Sequence, residues 1–283
     1  MILSHTLTQF KGNKSRTMNY LDELENKTIY ILREAYASFR NITLLWSIGK
    51  DSSTLLWISR KAFFGKIPFP IIHIDTTFKF KEIYEFRDIY SKKWGLDLIV
   101  SKNKSALKEK INPKKSKLEC CNALKTEALK TTLREYGFKA LLLAIRRDEH
   151  GIRAKERYFS PRTIDFTWNY QDQPLEPWGF YKSTIEDEEH IRIHPMLHWT
   201  ELDIWKYIKK EKIPMVGLYF AKNCKRYRSI GCQTCCVPID SNANTTTKII
   251  RELETTKIAE RNGRAQDKEN SYTMQKLRSL GYM

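Results

Sequence analysis

The sequence predicts an α/β protein with a doubly wound, mostly parallel sheet and helices on both faces. Three observations carry that prediction. Short apolar runs recur at Ile42–Trp46, Pro70–Asp75, Leu96–Val100 and Ala140–Ile145, each the length of a buried strand. Between them lie stretches with apolar residues at helical spacing, the alternation that βαβ units produce. Polar clusters follow three of the runs, at 47–53, 75–77 and 146–149, and in such sheets ligands lie outside the carboxyl ends of the strands, near the switch point.

In chain order, residues 1–19 carry no periodicity and are expected to be a flexible arm. Leu21, Leu24, Ile29, Ile31, Leu32, Ala35 and Phe39 predict a helix over 20–39. The Ile42–Trp46 strand leads through a short polar turn into a helix with Leu55, Leu56 and Ile58, ending near Phe64 with Gly65 as its stop. A strand over 70–75, a helix over 83–94 and a strand over 96–100 follow. Residues 102–117 form a basic loop region containing Pro113. One helix is expected over 121–136, then the strand 140–145. Residues 151–190 are aromatic and polar with little periodicity, a long loop over the crevice. A short strand covers 191–196. Thr200 caps the next helix, with Asp203 at the capping-box position. The last helix spans 247–260. The expected organisation is an arm, a nucleotide domain over 20–215, and a cysteine-bearing C-terminal extension over 216–283 that packs over the active site.

Composition narrows the class. The 283 residues include 50 Lys and Arg against 33 Asp and Glu, a formal net charge of +17. The basic residues are spread along the chain, so they make a basic surface that attracts nucleic acid or other polyanions. There is no apolar stretch of about 18 residues and no signal-peptide core, so a cytoplasmic protein with no membrane association is expected. Six cysteines in such a chain point to metal or sulfur chemistry rather than disulfides.

The turn Ser47-Ile48-Gly49-Lys50-Asp51-Ser52-Ser53 is the centre of the reading. Strand, turn and helix aim backbone N–H groups and a helix N-terminus at one point, where an anion is stabilised. Lys50 adds a point charge suited to phosphate oxygens, and Ser52 and Ser53 can donate hydrogen bonds or cap the helix. A Walker A loop requires Gly, four residues, then Gly-Lys-Ser/Thr. Here Asp51 follows Lys50 and no earlier Gly is near. The dinucleotide fingerprint fails as well, having a single Gly.

What remains resembles the PP-loop of ATP pyrophosphatases, Ser-Gly-Gly-x-Asp-Ser, with Ile48 in place of the first Gly. Further motifs extend the likeness: Pro68-Phe69-Pro70…His73-Ile74-Asp75-Thr76, Tyr84-Glu85-Phe86-Arg87-Asp88, Lys125-Thr126-Glu127, Arg146-Arg147-Asp148-Glu149, Arg153-Ala154-Lys155-Glu156-Arg157, His198-Trp199-Thr200-Glu201 and Glu260-Arg261…Gly263-Arg264. Together they resemble the phosphoadenosine-phosphosulfate reductase and sulfate adenylyltransferase small-subunit family over about residues 20–283. The resemblance implies an adenine nucleotide alpha hydrolase-like fold and ATP cleavage between the α and β phosphates. An oxyanion attacks the α-phosphorus and pyrophosphate leaves. It implies catalytic roles for Lys50, Asp51, Ser52, Arg146 and Arg147. It implies nucleotide contacts from Ser47, Gly49, Ser53, His73, Asp75 and Thr76, with Asp51 orienting Mg²⁺ or the loop itself.

Cys120 and Cys121 precede a helix, and Cys232 and Cys235 form a Cys-x-x-Cys 110 residues later. Adjacent cysteines make a poor disulfide, and four thiolates are the number that an iron–sulfur cluster or a zinc site needs. The set resembles the ligation of a [4Fe–4S] cluster in adenylylsulfate reductases and in the ATP-pyrophosphatase component of DNA phosphorothioation systems. Zinc or free thiols are the alternatives. No cysteine follows Cys236, which disfavours a reductase with a C-terminal nucleophile. Charge and cysteines rank activation of the DNA backbone for phosphorothioation first, with a cysteine desulfurase and DNA as partners. Sulfate adenylyltransferase small subunit, partnered by a GTPase large subunit, is the alternative. A non-catalytic nucleotide or nucleic-acid binder is third, disfavoured by the intact Lys50-Asp51-Ser52. A homodimer is compatible with either enzyme.

Overall fold

The computed structural model describes residues 19–184 and 188–263. The expected arm lies outside them except for Asn19, which starts helix α1 (Tyr20–Ser38). The Asn19 side chain accepts from the Asp22 backbone N–H and Asp22 accepts in return from Asn19, a capping box. Strand β1 (Ile42–Leu45), helix α2 (Lys50–Ala62), β2 (Ile71–Ile74), α3 (Lys81–Lys93) and β3 (Leu98–Ser101) follow in strict alternation. A short α4 (Lys104–Lys108) and α5 (Lys117–Cys121) lead through a π-helical turn at Asn122–Glu127 into α6 (Ala128–Glu135). Then come β4 (Ala140–Leu142), β5 (Phe159–Thr163), β6 (Glu188–Ile193), α7 (Glu201–Glu211), the small ribbon β7 (Lys225–Arg226) and β8 (Ile239–Asp240), and α8 (Thr246–Thr255).

The six-stranded sheet has the order β3-β2-β1-β4-β6-β5, parallel throughout except for β5. Because β2 and β4 flank β1 on opposite sides, the chain reverses direction of winding at β1. A crevice therefore opens at the carboxyl ends of β1 and β4. All positions of β1, β2 and β4 are buried, which is why these strands read as apolar runs rather than alternating ones. Side chains nonetheless divide by the two-residue period. Leu44, Ile71 and Leu142 join α1, α2 and α7 in one core. Leu45, Ile72 and Leu141 join Ala128, Leu129 and Leu133 of α6 in the other. Each fully buried Leu or Ile contributes about 1.5–3 kcal/mol, so the double-sided core fixes the register of the strand ends that carry the site.

Several expectations change: residues 102–117 hold the short helix α4, β6 runs over Glu188–Ile193 rather than 191–196, and α8 ends at Thr255 rather than 260. The loop expected over 151–190 contains β5, antiparallel to β6. Its inward positions are polar: Arg162 is buried and paired with Glu156 at 2.8 Å, and Ser160 donates to the same carboxylate at 2.7 Å. Paired charges replaced the apolar residues that would have announced a strand. The single helix expected over 121–136 is widened by the π-turn, where the Asn103 side chain donates to the Ala123 carbonyl at 2.9 Å. Among the described residues, no helix is long and apolar enough to cross a membrane.

Candidate active site

The turn after β1 makes an unusual backbone step. Ile48 has φ +65°, the left-handed region that a β-branched residue strongly disfavours. That step turns the chain so that Gly49 becomes the N-cap of α2. A Cβ at Gly49 would meet Ser47 Oγ at 3.3 Å, a tight contact, and the Tyr219 hydroxyl at 3.6 Å, so a side chain there would press on the Ser47 hydroxyl. Ser52 does not cap the helix: its hydroxyl exchanges a hydrogen bond with Ser47 Oγ at 3.0 Å and reaches Gly49 O at 3.2 Å, stiffening the loop. Ser53 turns inward and accepts from Trp46 Nε1 at 3.1 Å. The Tyr219 hydroxyl accepts from the Lys50 backbone N–H at 2.8 Å.

Ser47, Gly49, Lys50, Asp51 and Ser52 line an open cleft. Its apolar wall is Leu45, Ile74, Leu143, Ala144 and Ile145, from the ends of β1 and β2 and the segment after β4. Glu149, Arg153 and Arg261 line it as well, as do Lys79, Lys125 and Cys232. An apolar slot beside a helix N-terminus and several cations suits a flat base carrying phosphates.

From the lining residues Lys50 and Asp51 a closed ring of alternating charge runs inward to Glu260 and Arg146. Lys50 pairs with Asp51 at 3.1 Å and with Glu260. Glu260 pairs in turn with Arg146, and Arg146 with Asp51. Arg146 also holds Asp148 at 2.9 Å, and Asp148 accepts from the Glu201 backbone N–H at 2.8 Å at the start of α7. Lys50 and Arg146 are 1% and 0% exposed, so their charges depend on these partners. Burial by itself would raise the Glu260 carboxyl, but Arg146 and Lys50 bring it down to about 2.

The structure separates the residues expected to act. Lys50, Asp51, Ser52, Ser47 and Gly49 are brought together at the cleft. Arg146 stands behind its wall, and Arg147 lies over the Tyr158 ring at 5.1 Å, away from the lining. His73 is buried in the sheet with Nδ1 2.9 Å from the Trp46 carbonyl. Burial and the Lys79 charge lower its pKa to about 3. Asp75 is engaged by Lys102 at 2.8 Å, the Tyr84 hydroxyl at 2.8 Å and the Thr77 N–H at 2.8 Å. Thr76 Oγ sits 3.2 Å from Cys232 Sγ. None of these three lines the cleft.

The cysteines come together from two distant segments. Burial and the neighbouring Cys121 and Cys232, with Cys235, push the Cys120 thiol up to about 12. The vicinal pair is nevertheless split, Cys120 packing with Leu124 and Cys121 with Leu118 and Ile152. Among the described residues no group of three or more His, Cys, Asp or Glu is arranged to hold a metal ion. The four-thiolate ligand set expected for a [4Fe–4S] cluster or zinc is therefore not assembled as placed. Asp51 holds Lys50 with one carboxylate oxygen and Arg146 with the other, tying the loop to both cations.

Sequence reasoning passed over Glu149, Arg153, Tyr219, Glu260 and Arg261 as site residues. The motifs containing four of them were visible, but their meeting depends on folding the C-terminal turn back across about 210 residues.

Residues 41–238 match the family model of the phosphoadenosine phosphosulfate reductase domain. The chain is 39% identical to sulfate adenylyltransferase subunit 2 of Psychromonas ingrahamii over 300 residues, covering 95% of this chain and 99% of that one. To the same subunit of Vibrio cholerae it is 40% identical over 296 residues, covering 94% and 98%. Among solved structures it resembles FMN adenylyltransferase of Candida glabrata with FMN and an ATP analogue (TM-score 0.55, 19% identity, 81% of this chain and 68% of that one). It also resembles phosphoadenylyl-sulfate reductase of Candida auris (TM-score 0.54, 18% identity, 80% and 100%). At such identity the structures show a shared fold.

Proposed function

We propose, on the premise that this chain belongs to the phosphoadenosine phosphosulfate reductase family of PP-loop adenylyl-transferring enzymes, that it transfers the adenylyl group of ATP to sulfate and releases pyrophosphate. The observation that carries this is Lys50 at the N-terminus of α2, in a cleft whose other wall is Leu45, Ile74 and Leu143 to Ile145. Adenine packs against the apolar wall and the phosphates meet the helix N-terminus and Lys50. A sulfate oxygen attacks the α-phosphorus, the bond to the bridging oxygen breaks, and its electrons leave with pyrophosphate. The chain's own contribution is alignment and charge neutralisation.

Near full-length likeness to sulfate adenylyltransferase subunit 2 reverses the order that charge and cysteines suggested. It favours a large subunit as partner. A second reading, activation of the DNA backbone for sulfur insertion with a cysteine desulfurase, keeps two supports: the +17 charge and Cys232 in the cleft lining. Pyrophosphate release from ATP separates the two. Stimulation by sulfate is the expected result. Stimulation by duplex DNA and not by sulfate favours the second reading, and conversion of ATP to ADP ends both. Iron and zinc analysis of anaerobically prepared protein decides whether the four thiols rearrange around a metal.

A further inference from the structure

The adenylyl-transfer reading leaves the thiols beside the cleft unused. In the segment 231–236 the Cys235 backbone N–H donates to the Cys232 carbonyl at 3.0 Å, closing a 3₁₀ turn over Gln233–Cys235. A turn closed by such a bond holds its end Cα atoms within about 7 Å, the span in which a disulfide forms. Cys236 has another use: its sulfur accepts from the Gly231 N–H at 2.9 Å. Cys120 belongs to α5 and packs with Ala106, Leu124 and Phe78, so joining it to the turn would require two elements to move. Cys232 and Cys235 are the pair that one turn already holds together.

Their surroundings differ. Cys232 lines the cleft next to Ile230 and Gly231, and its sulfur lies 3.2 Å from Thr76 Oγ. The adjacent Gln233 N–H donates to the Phe78 carbonyl at 2.8 Å. This wall of the cleft is therefore docked on the loop after β2 by one sulfur contact and one backbone bond. Cys235 is buried and does not line the cleft. Burial raises its thiol above the ordinary value, so it stays protonated until a partner sulfur is presented.

We propose that Cys232 and Cys235 form a reversible dithiol–disulfide pair, oxidised through the cleft by a small-molecule disulfide, and that the oxidised form binds ATP more weakly. The proposal rests on reading the cleft as an ATP site and adds redox control to it. The Cys232 thiolate attacks one sulfur of the small disulfide, whose S–S bond breaks as one thiolate leaves. Cys235 then attacks the Cys232 sulfur, and the mixed disulfide breaks to release the second small thiolate. The two protons of the protein thiols end on the two departing thiolates. Two electrons pass from the protein thiols to the small disulfide, so the exchange balances. Closing the new bond draws the Cys232 sulfur off Thr76 and loosens this wall from the loop after β2. A nucleotide lying against the wall favours the dithiol form, and by linkage bound nucleotide shifts the pair towards that form.

The test equilibrates the full chain anaerobically in mixtures of reduced and oxidised glutathione, then alkylates it and maps it by mass spectrometry. The expected product links Cys232 to Cys235 and leaves Cys120 and Cys236 alkylated. Calorimetry with α,β-methylene ATP, which resists cleavage, should show the reduced protein binding about 5- to 150-fold tighter than the oxidised one. C235S should bind the analogue as the reduced wild type does and lose all dependence on glutathione. C236S should keep that dependence. Should C235S fold poorly, C235A replaces it, and the wild-type map judges the pair without any variant. A map showing no link, or a Cys120–Cys232 link, overturns the proposal. Stoichiometric iron or zinc held by the thiols overturns it too, because the pair would then be ligands. An analogue that binds neither form overturns the ATP reading and the proposal with it. Equal binding to both forms sinks the proposal alone.

Discussion

Replacing Glu260 by glutamine tests whether the charge ring is an integral part of the fold. Glu260 is the shared partner of Lys50 and Arg146, both almost wholly buried. In E260Q the amide can still accept one hydrogen bond, but two buried cations are left with Asp51 and Asp148. Removing one member of a buried ion-paired group costs roughly 3–5 kcal/mol. The carboxyl's pKa points the same way: Arg146 and Lys50 outweigh burial and hold it down to about 2, so the charged form is the one the fold stabilises. For a chain of this size, 3–5 kcal/mol translates into a melting temperature lowered by about 6–20 °C. Because the folded pKa is depressed, the contribution is complete above pH 4.5 and is lost as pH falls towards 2. Thermal unfolding of wild type and E260Q, followed by circular dichroism, should show a full gap at pH 7 that narrows below pH 4.5. Equal melting temperatures at pH 7 would mean that the turn lifts away and water takes the place of the carboxylate. The ring would then not be a buried structural unit, and the reasoning would fail.

The other predictions are shorter. K50A and D51A each remove a group at the loop, and pyrophosphate release should fall by about 10²–10³-fold, the cost of losing one transition-state contact; retained release would take the loop out of the mechanism. His73, held neutral by burial and Lys79 with a pKa of about 3, should show flat imidazole proton shifts in NMR from pH 8 to pH 5. Its folded pKa lies below the unfolded value of about 6.5, so its effect is to lose stability as pH drops through that value, and a midpoint near 6.5 in the folded protein would contradict the placement. L142A empties a fully buried position in the central strand β4. It should lower the unfolding free energy in urea by about 2–5 kcal/mol, and a change below 1 kcal/mol would mean that β4 is not central.

What could be read from the sequence, and what could not, follows from the range of the forces involved. Strands β1, β2 and β4 are buried on both faces, so their apolar runs marked β1 and β2 within a residue and the start of β4, whose run continues three residues past the strand. Thr200 signals its helix by local capping chemistry and its capping box forms; Asn19 forms a second one that the sequence reading left in the arm. β5 stayed hidden because Ser160 and Arg162 satisfy each other and Glu156 in the interior, and a polar strand has no hydrophobic period to detect. Loop residues 47–52 were legible as a phosphate site because the strand, turn and helix are contiguous. Arg146 was legible only as a cation near a strand end. That it faces Glu260, and not the cleft, depends on a contact 114 residues away in the chain. His73, Asp75 and Thr76 had the position along their strand that a nucleotide ligand needs, but residue position does not say which neighbour claims a side chain first.

Ile48 shows why the loop can carry its function without the first glycine of the family pattern. Holding a non-glycine residue at φ +65° costs roughly 1–2 kcal/mol. The Ile48 side chain is 1% exposed and packs in the same core as Leu55, Leu56 and Trp46, and burying an isoleucine returns about 1.5–3 kcal/mol. The two terms are comparable, so the strained step persists because its side chain is pinned in the core. Glycine would relax the backbone but remove that pin. The loop would then be held mainly by Ser47, Ser52 and Tyr219. Strain here is coupled to packing, and packing fixes the direction in which the N-terminus of α2 points. The geometry that Lys50 and Gly49 present to an anion is in this way set by a hydrophobic side chain that never touches it.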